Sequence, residues 1–362
     1  MPPQRAVARV DLGAIERNCA ALRERLGAAA LCAVVKAGGY GHGAVPSARA
    51  ALAGGATWIA VATAAEAAEL REGGIEDRLL VMGALTHADL ELAVWARADV
   101  VAWSREFAEI ASGGGVGVHV KLDTGMGRLG TADPQEARAL VERLAAAGVF
   151  AGLMTHFATA DERGDEHFPA QLERFRALAE HVRAEHPDAV VHAANSAGTL
   201  RDAAAHFDMV RCGVAVYGLD PFQNDPAAEG LEPALTLESY VASVKRFEPG
   251  DSAGYGRSWR AREPTWVGVL PIGYGDGWRR GLSNNARVLI GGRSYPLVGT
   301  VSMDNVTVDL GPDTGVRVGE PAVLIGAQGR ERILAEEVAR ALGTINYEVT
   351  CGLTARVVRE HV

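Results

Sequence analysis

LCAVVKAGGYGHG, Leu31 to Gly43, sets a short, continuously apolar run against a lysine and then a glycine-rich loop. Unbroken apolar runs of this length, as opposed to alternating ones, suit strands buried on both faces of a parallel sheet. Upstream, Leu12, Ile15, Cys19, Leu22 and Leu26 recur at steps of three and four and stop at Gly27, which predicts a one-faced helix. Downstream the texture repeats. After Leu31–Val35, strands are expected at Trp58–Val61, Leu79–Met82, Val100–Trp103, Val116–Leu122, Val149–Met154, Val190–His192 and Phe207–Arg211, eight in all. Helix starts are readable between them: Thr63 with Glu66 as a capping box, Thr86 before Leu90, and Asp133 followed by Pro134 at the first helical position and Glu136 at the third. Eight strand–helix units in about 200 residues suffice to close a (β/α)8 TIM-type barrel, although an open doubly wound sheet shows the same alternation.

Beyond Tyr217 the pattern changes. GLDPFQNDPAAEGLEP reads as a linker, and the runs after it are β-like: Leu235–Val244, Trp266–Ile272, Ala286–Ile290, Val306–Leu310 and Ala322–Ile325, with only Ile333–Leu342 looking helical. Strands joined by short glycine-rich turns cannot be parallel neighbours, which need long crossovers, so this part is expected to be a smaller, largely antiparallel β domain. The expected division is residues 11–230 for the barrel and 231–362 for the β domain, with residues 1–10 able to add a strand to the latter.

Composition narrows the function. The 362 residues carry a formal charge of −9, without the basic footprint that a phosphate backbone requires, so nucleic acid is not an expected partner. Cys19, Cys32, Cys212 and Cys351 are far apart, which argues against a zinc ribbon or a disulfide framework and suits a reducing compartment. Neither a signal-peptide pattern nor an 18-residue apolar stretch occurs, so a soluble cytoplasmic chain with no membrane partner is expected. Only Lys36, Lys121 and Lys245 among the 36 basic residues are lysines; 33 are arginines. Arginine serves where a permanent charge is enough, whereas lysine alone can release its proton and act as an amine. A chain so averse to lysine is expected to keep it mainly where an amine is needed.

In a barrel, functional groups project from the C-terminal ends of the strands. Those ends carry Lys36, the Asp123–Gly130 loop with Arg128, His156, Asn195 with Ser196, and Arg211 with Gly213. A lysine stem packed after Ala-Val-Val is desolvated, which disfavours the ammonium form and favours Schiff-base chemistry. The glycines from Gly38 to Gly43 let backbone approach a ligand closely, but their spacing does not meet a dinucleotide fingerprint.

AVVKAGGYGHG, KLDTGMGRLG, THFATAD, HAANSAG, VRCGVAVYG, AGYGRSW, GYGDGW, VGTVSMDNVTVDLG and INYEVTCGL, in this order along both halves, resemble the alanine racemases. The resemblance implies pyridoxal 5′-phosphate as cofactor, a head-to-tail homodimer with shared active sites, and interconversion of L- and D-alanine that supplies D-alanine for peptidoglycan. It implies that Lys36 holds the cofactor as a Schiff base and then acts as one catalytic base. Tyr40, Ser196, the backbone near Gly213 and Val214, and Tyr347 would bind the phosphate through neutral donors. Arg211 would face the pyridine nitrogen. Tyr255 from the partner subunit would be the second base, with His156 between it and Arg211, while Arg128 and the backbone N–H of Met303, supported by Asp304, would bind the substrate carboxylate. Lys121 would be carbamylated, giving an anion that holds Arg128; the plain alternative is an ion pair with Asp123 or another carboxylate. No metal is implied.

This chain departs from the family's pattern at Gly38 and Gly39, where an Asn or Asp and an Ala are usual, at Asn305 in place of Gln, and at Gly275 in place of Ala. His42, His119 and His192 read as hydrogen-bonded structural residues, Tyr274 and Asp276 as corridor or turn residues, and Lys245 as surface. A metal-dependent barrel hydrolase would need His-x-His at the end of the first strand, where Val34-Val35-Lys36 stands. A non-catalytic cofactor-binding barrel would lack the region of Tyr255 and Met303. A racemase of the same fold acting on serine or larger amino acids is the nearer alternative.

Overall fold

The structure is a computed structural model, and it describes residues 4–362. Strand β1 (Val7–Val10) is followed by the eight parallel strands of a closed barrel: β2 (Ala30–Val34), β3 (Trp58–Val61), β4 (Arg78–Val81), β5 (Ala98–Ala102), β6 (Val118–Lys121), β7 (Phe150–Met154), β8 (Val190–His192) and β9 (Met209–Cys212). Each pairs with the next, and β2 closes the ring against β9, Ala33 opposite Cys212. The barrel is therefore present, and the open doubly wound alternative is not. The barrel strands are nearly all buried, in keeping with their unbroken apolar runs. Helices alternate with them, and the caps follow the sequence. Thr63 and Glu66 form a capping box, Thr86 does the same with Asp89, and Asp133 accepts the Gln135 N–H ahead of a helix with Pro134 in its first turn.

The remaining strands are β10 (Leu235–Tyr240), β11 (Ser243–Phe247), β12 (Ser252–Ala253), β13 (Trp259–Arg260), β14 (Thr265–Leu270), β15 (Arg287–Ile290), β16 (Arg293–Val298), β17 (Val306–Gly311), β18 (Pro321–Gln328), β19 (Glu331–Ile333) and β20 (Val358–His361). They form a sheet in the order β11-β14-β17-β16-β15-β18-β10-β1-β20, with β19 on β18, and a separate β12–β13 ribbon. All pairs are antiparallel except β1 with β20. The expected single strand Leu235–Val244 is two strands. At its middle Val241 N–H bonds to Glu320 O and Ala242 N–H to Val269 O, so the chain leaves β18 and joins β14 within two residues. A continuous β-type sequence cannot reveal such a change of partner. Lys245 lies exposed on the edge strand β11, where charge discourages further pairing.

The chain divides into two compact units. One comprises residues 15–222 with Glu229–Glu232, and the other residues up to Ala14 with Gln223–Ala228 and Pro233–Val362. Among the described residues, no helix is long and apolar enough to cross a membrane.

Candidate active site

The C-terminal ends of parallel strands all open on one face, so Lys36 after β2, Lys121 at the end of β6, His156 after β7, Ser196 after β8 and Arg211 within β9 share the barrel mouth. Their electrostatics agree. The charges of Arg211, Lys121, Arg128 and Lys36 all act on His156.

Lys36 begins a turn of unusual hand. Ala37, Gly38 and Gly39 have φ of 53°, 60° and 65°, and Tyr40 follows at 53°, giving one turn of left-handed helix. Each non-glycine residue in that region costs roughly 1–2 kcal/mol, so glycine at two of the four positions removes much of the strain. Glu66 secures the turn: Oε1 accepts the Ala37 N–H at 2.6 Å, while Oε2 accepts the N–H groups of Ala62 and Thr63. The turn buries Tyr40 against Tyr217. A β-carbon at Gly213 would stand 2.2 Å from the Tyr40 hydroxyl, so the glycine is what admits it. His42 donates from Nδ1 to the carbonyls of Gly39 and Tyr40, a structural role as expected.

Ser196 Oγ accepts the N–H groups of Gly213 and Ala215 at 3.0 and 3.3 Å. With both lone pairs engaged, the hydroxyl acts as a donor, towards the neighbouring Cys212 sulfur or an incoming acceptor. Val214 opens the buried turn Val214–Tyr217 beside it.

Arg211 is buried, and among the described residues no carboxylate pairs with it. It donates from Nη2 to the carbonyls of Thr155 and Ala193 at 2.8 and 2.9 Å and to His156 Nδ1 at 3.2 Å, and from Nη1 to His192 Nδ1 at 2.8 Å. Burial lowers its pKa to about 10, still high enough to leave it cationic at neutral pH. Because guanidinium only donates, it fixes the tautomers around it. His192 must carry its proton on Nε2, which lies 2.8 Å from His119 Nδ1, and His119 Nε2 faces Asp99 at 3.5 Å. Burial and then the Arg211 charge hold His192 well below the usual imidazole pKa. His156 is held down likewise, by burial first, so it is neutral with Nε2–H directed away from Arg211. The two buried histidines read from the sequence as structural thus form a string from Arg211 to Asp99. Its members are 19 to 73 residues apart, and no local pattern announces them.

Lys121 is 4% exposed, and no hydrogen bond or ion pair reaches its amine among the described residues. Burial, then Arg211 and Arg128, lower its pKa to about 8. The expected alternative, an ion pair with Asp123, is not formed. Asp123 accepts the backbone N–H groups of Gly125, Met126 and Arg128 instead, and although burial alone would raise its pKa, these bonds lower it. The Arg128 backbone is thereby fixed while its guanidinium makes no ion pair among the described residues.

Tyr255, Met303 and Tyr347 belong to the other unit. Tyr255 is 74% exposed on a turn between β12 and β13, and Met303 is 51% exposed. Thr300 draws their loops together by donating to the Tyr255 carbonyl at 2.8 Å. Tyr347 lies on the short helix Asn346–Cys351, absent from the sequence reading because six residues are too few to show a period.

Two family models match in tandem, the alanine racemase N-terminal domain over residues 10–221 and the alanine racemase C-terminal domain over residues 234–361. The alanine racemase of Symbiobacterium thermophilum is 44% identical over 361 residues, 97% of this chain and 96% of its own. That of Geobacillus stearothermophilus is 43% identical over 97% of this chain and 92% of its own. Among solved structures, alanine racemase from Streptomyces coelicolor superposes with a TM-score of 0.94 at 40% identity, covering 99% of this chain and 98% of its own. The enzyme from Bacillus anthracis, solved with bound L-Ala-P, gives 0.90 at 35% identity, covering 99% and 95%.

Proposed function

The chain belongs to the alanine racemases, amino-acid isomerases that interconvert L- and D-alanine, and on that premise we propose that it works with pyridoxal phosphate by a two-base mechanism in a shared-site homodimer. The observation that carries the cofactor reading is the donor set at the barrel mouth. A strand-end lysine, two neutral hydroxyl donors and a buried guanidinium held by carbonyls and imidazoles fit an aldehyde, a phosphate and a pyridine nitrogen respectively. When bound, the cofactor makes the Cα–H of an attached amino acid acidic.

Lys36 would hold the cofactor covalently and, once released by substrate, move a proton at one face of Cα. Tyr40 and Ser196 would bind the phosphate, with the backbone at Gly213 and Val214 and the Tyr347 hydroxyl completing the cradle. Arg211 would donate to the ring nitrogen. Being donor-only and firmly held, it cannot supply a proton there as a carboxylic acid would, which keeps electron withdrawal modest and favours returning the proton to Cα. Tyr255 of the partner subunit would serve the opposite face. A free phenol titrates near pH 10, too high for a useful base, so it needs cationic help. Neutral His156, polarised by Arg211, would donate that help from Nε2. Arg128 and the Met303 N–H would orient the substrate carboxylate.

Lys121 would be carbamylated. A buried amine with a pKa of about 8, beside Arg211 and Arg128 and making no ion pair among the described residues, favours conversion to an anion. Residues 11–230 would thus carry the cofactor, and residues 231–362 would present the second base to a second copy. The exposed Tyr255 and Met303 support such a face. The four scattered cysteines, three of them buried, suit the reducing cytoplasm. The relatives above are alanine racemases, which favours alanine over serine or larger substrates. Borohydride reduction of the purified protein followed by peptide mass analysis tests this reading. A pyridoxyl group on Lys36 is expected, and labelling elsewhere, or none, would overturn it.

A further inference from the structure

The Met303 loop is fastened by charges that the two-base reading does not use. Asp276, whose side chain is fully buried, accepts from Arg5 through both oxygens at 2.6 and 2.7 Å, and Arg356 Nε lies 3.3 Å from it. Arg356 then reaches onward, donating from Nη2 to Asp304 Oδ1 at 2.5 Å, while Arg5 Nη2 stands 3.5 Å from the same oxygen. The backbone runs in parallel: Tyr274 and Gly275 donate their N–H groups to the carbonyls of Ser302 and Met303 at 3.0 and 2.9 Å. Thr354 closes the far side by donating its hydroxyl to Gly275 O at 2.9 Å.

Gly275 is the opening in this arrangement. A β-carbon there would stand 2.1 Å from Arg356 Nη1, so the guanidinium lies where an alanine methyl would be. Arg356 and Asp304 are 43% and 51% exposed, and an exposed pair of this kind contributes little to stability. What the pair does is anchor the end of the loop: the Met303 N–H shares a peptide plane with the Ser302 carbonyl held by Tyr274, the next peptide is held through the Met303 carbonyl by Gly275, and Arg356 fastens Asp304 directly after it.

We propose that Arg356 is a positioning residue for recognition of the substrate carboxylate, acting through Asp304 on the Met303 N–H, and that Gly275 is the space through which it acts. This rests on the reading of Met303 as a carboxylate donor. The test is steady-state racemisation of alanine by the wild-type holoenzyme and by Gly275→Ala, Arg356→Ala, Arg356→Lys and the Gly275→Ala/Arg356→Ala double variant, with propionate as a competitive carboxylate probe. Both alanine substitutions are expected to raise KM and the propionate inhibition constant about ten-fold, roughly the worth of one charge-assisted hydrogen bond, and to leave kcat within about two-fold. Arg356→Lys should be intermediate, because one ammonium cannot bridge two carboxylates. In the double variant the effects should fail to add, since the methyl and the truncation remove the same contact. Additive effects, an unchanged KM, or a fall in kcat that follows melting temperature with no change in propionate binding would each overturn the proposal. A wild-type holoenzyme without alanine racemisation would overturn the functional reading and this inference with it.

Discussion

Lys121 is a cation in a neighbourhood of cations, and its titration is where a single residue becomes measurable. Its folded pKa of about 8 lies below the ordinary 10.5, with burial as the first cause. Between those values the unfolded chain holds a proton that the folded chain has released, so stability rises with pH across that window. In buffer free of carbon dioxide, the melting temperature of the wild type relative to Lys121→Met should climb from about pH 8 to 10.5. In bicarbonate the climb should flatten, because the neutral amine is captured as a carbamate and the cationic penalty disappears at lower pH. Equal curves in the two buffers would argue against capture. The place of this lysine at the barrel mouth was legible in the sequence, from its strand end. That it forms no ion pair with Asp123 was not, because Asp123 turns to the backbone of its own loop, a geometry that a motif does not specify. Asp276 and Arg356 escaped for a different reason: the Arg5–Asp276 contact joins residues 271 apart, and the sequence around Asp276 reads equally well as a turn.

At the scale of elements, the turn after β2 has to hold four successive left-handed residues in place, and Glu66 carries much of that load from the next strand–helix junction. Its capping-box role was visible as Thr63 followed by Glu66. Its second role, receiving the Ala37 N–H, was not, because it crosses from one βα unit to its neighbour. Glu66→Ala should cost about 1–2 kcal/mol in chemical denaturation, as loss of a cap does, and should also weaken cofactor affinity by loosening the turn behind Lys36. Glu66→Gln, which keeps one acceptor, should fall between. A stability loss with unaltered cofactor affinity would confine Glu66 to its cap. Short elements mark the limit of the sequence reading. The barrel strands are continuous apolar runs and fell within two residues of expectation, whereas β12 and β13 have two residues each, too few for any period, although they carry the Tyr255 turn.

For the whole molecule, the division of labour between the two units makes subunit sharing testable without a structure of the complex. If Lys36 of one subunit works with Tyr255 of the partner subunit, Lys36→Ala and Tyr255→Phe each disable every site in their own homodimers. In a mixed dimer the sites differ. The site built on the Lys36→Ala barrel faces the altered tyrosine and is doubly defective, while the other combines an intact Lys36 with an intact Tyr255. Random reassociation of equal amounts makes half the dimers mixed, each with one of two sites restored, so activity should recover to about one quarter of wild type. Recovery should track the mixed species when the variants carry different affinity tags and are separated after refolding together. Tandem purified mixed dimers without activity would show that the second base comes from the same chain as Lys36 or from another residue. Activity restored only by adding a small phenol to Tyr255→Phe homodimers would point to the missing hydroxyl itself and not to the geometry of sharing.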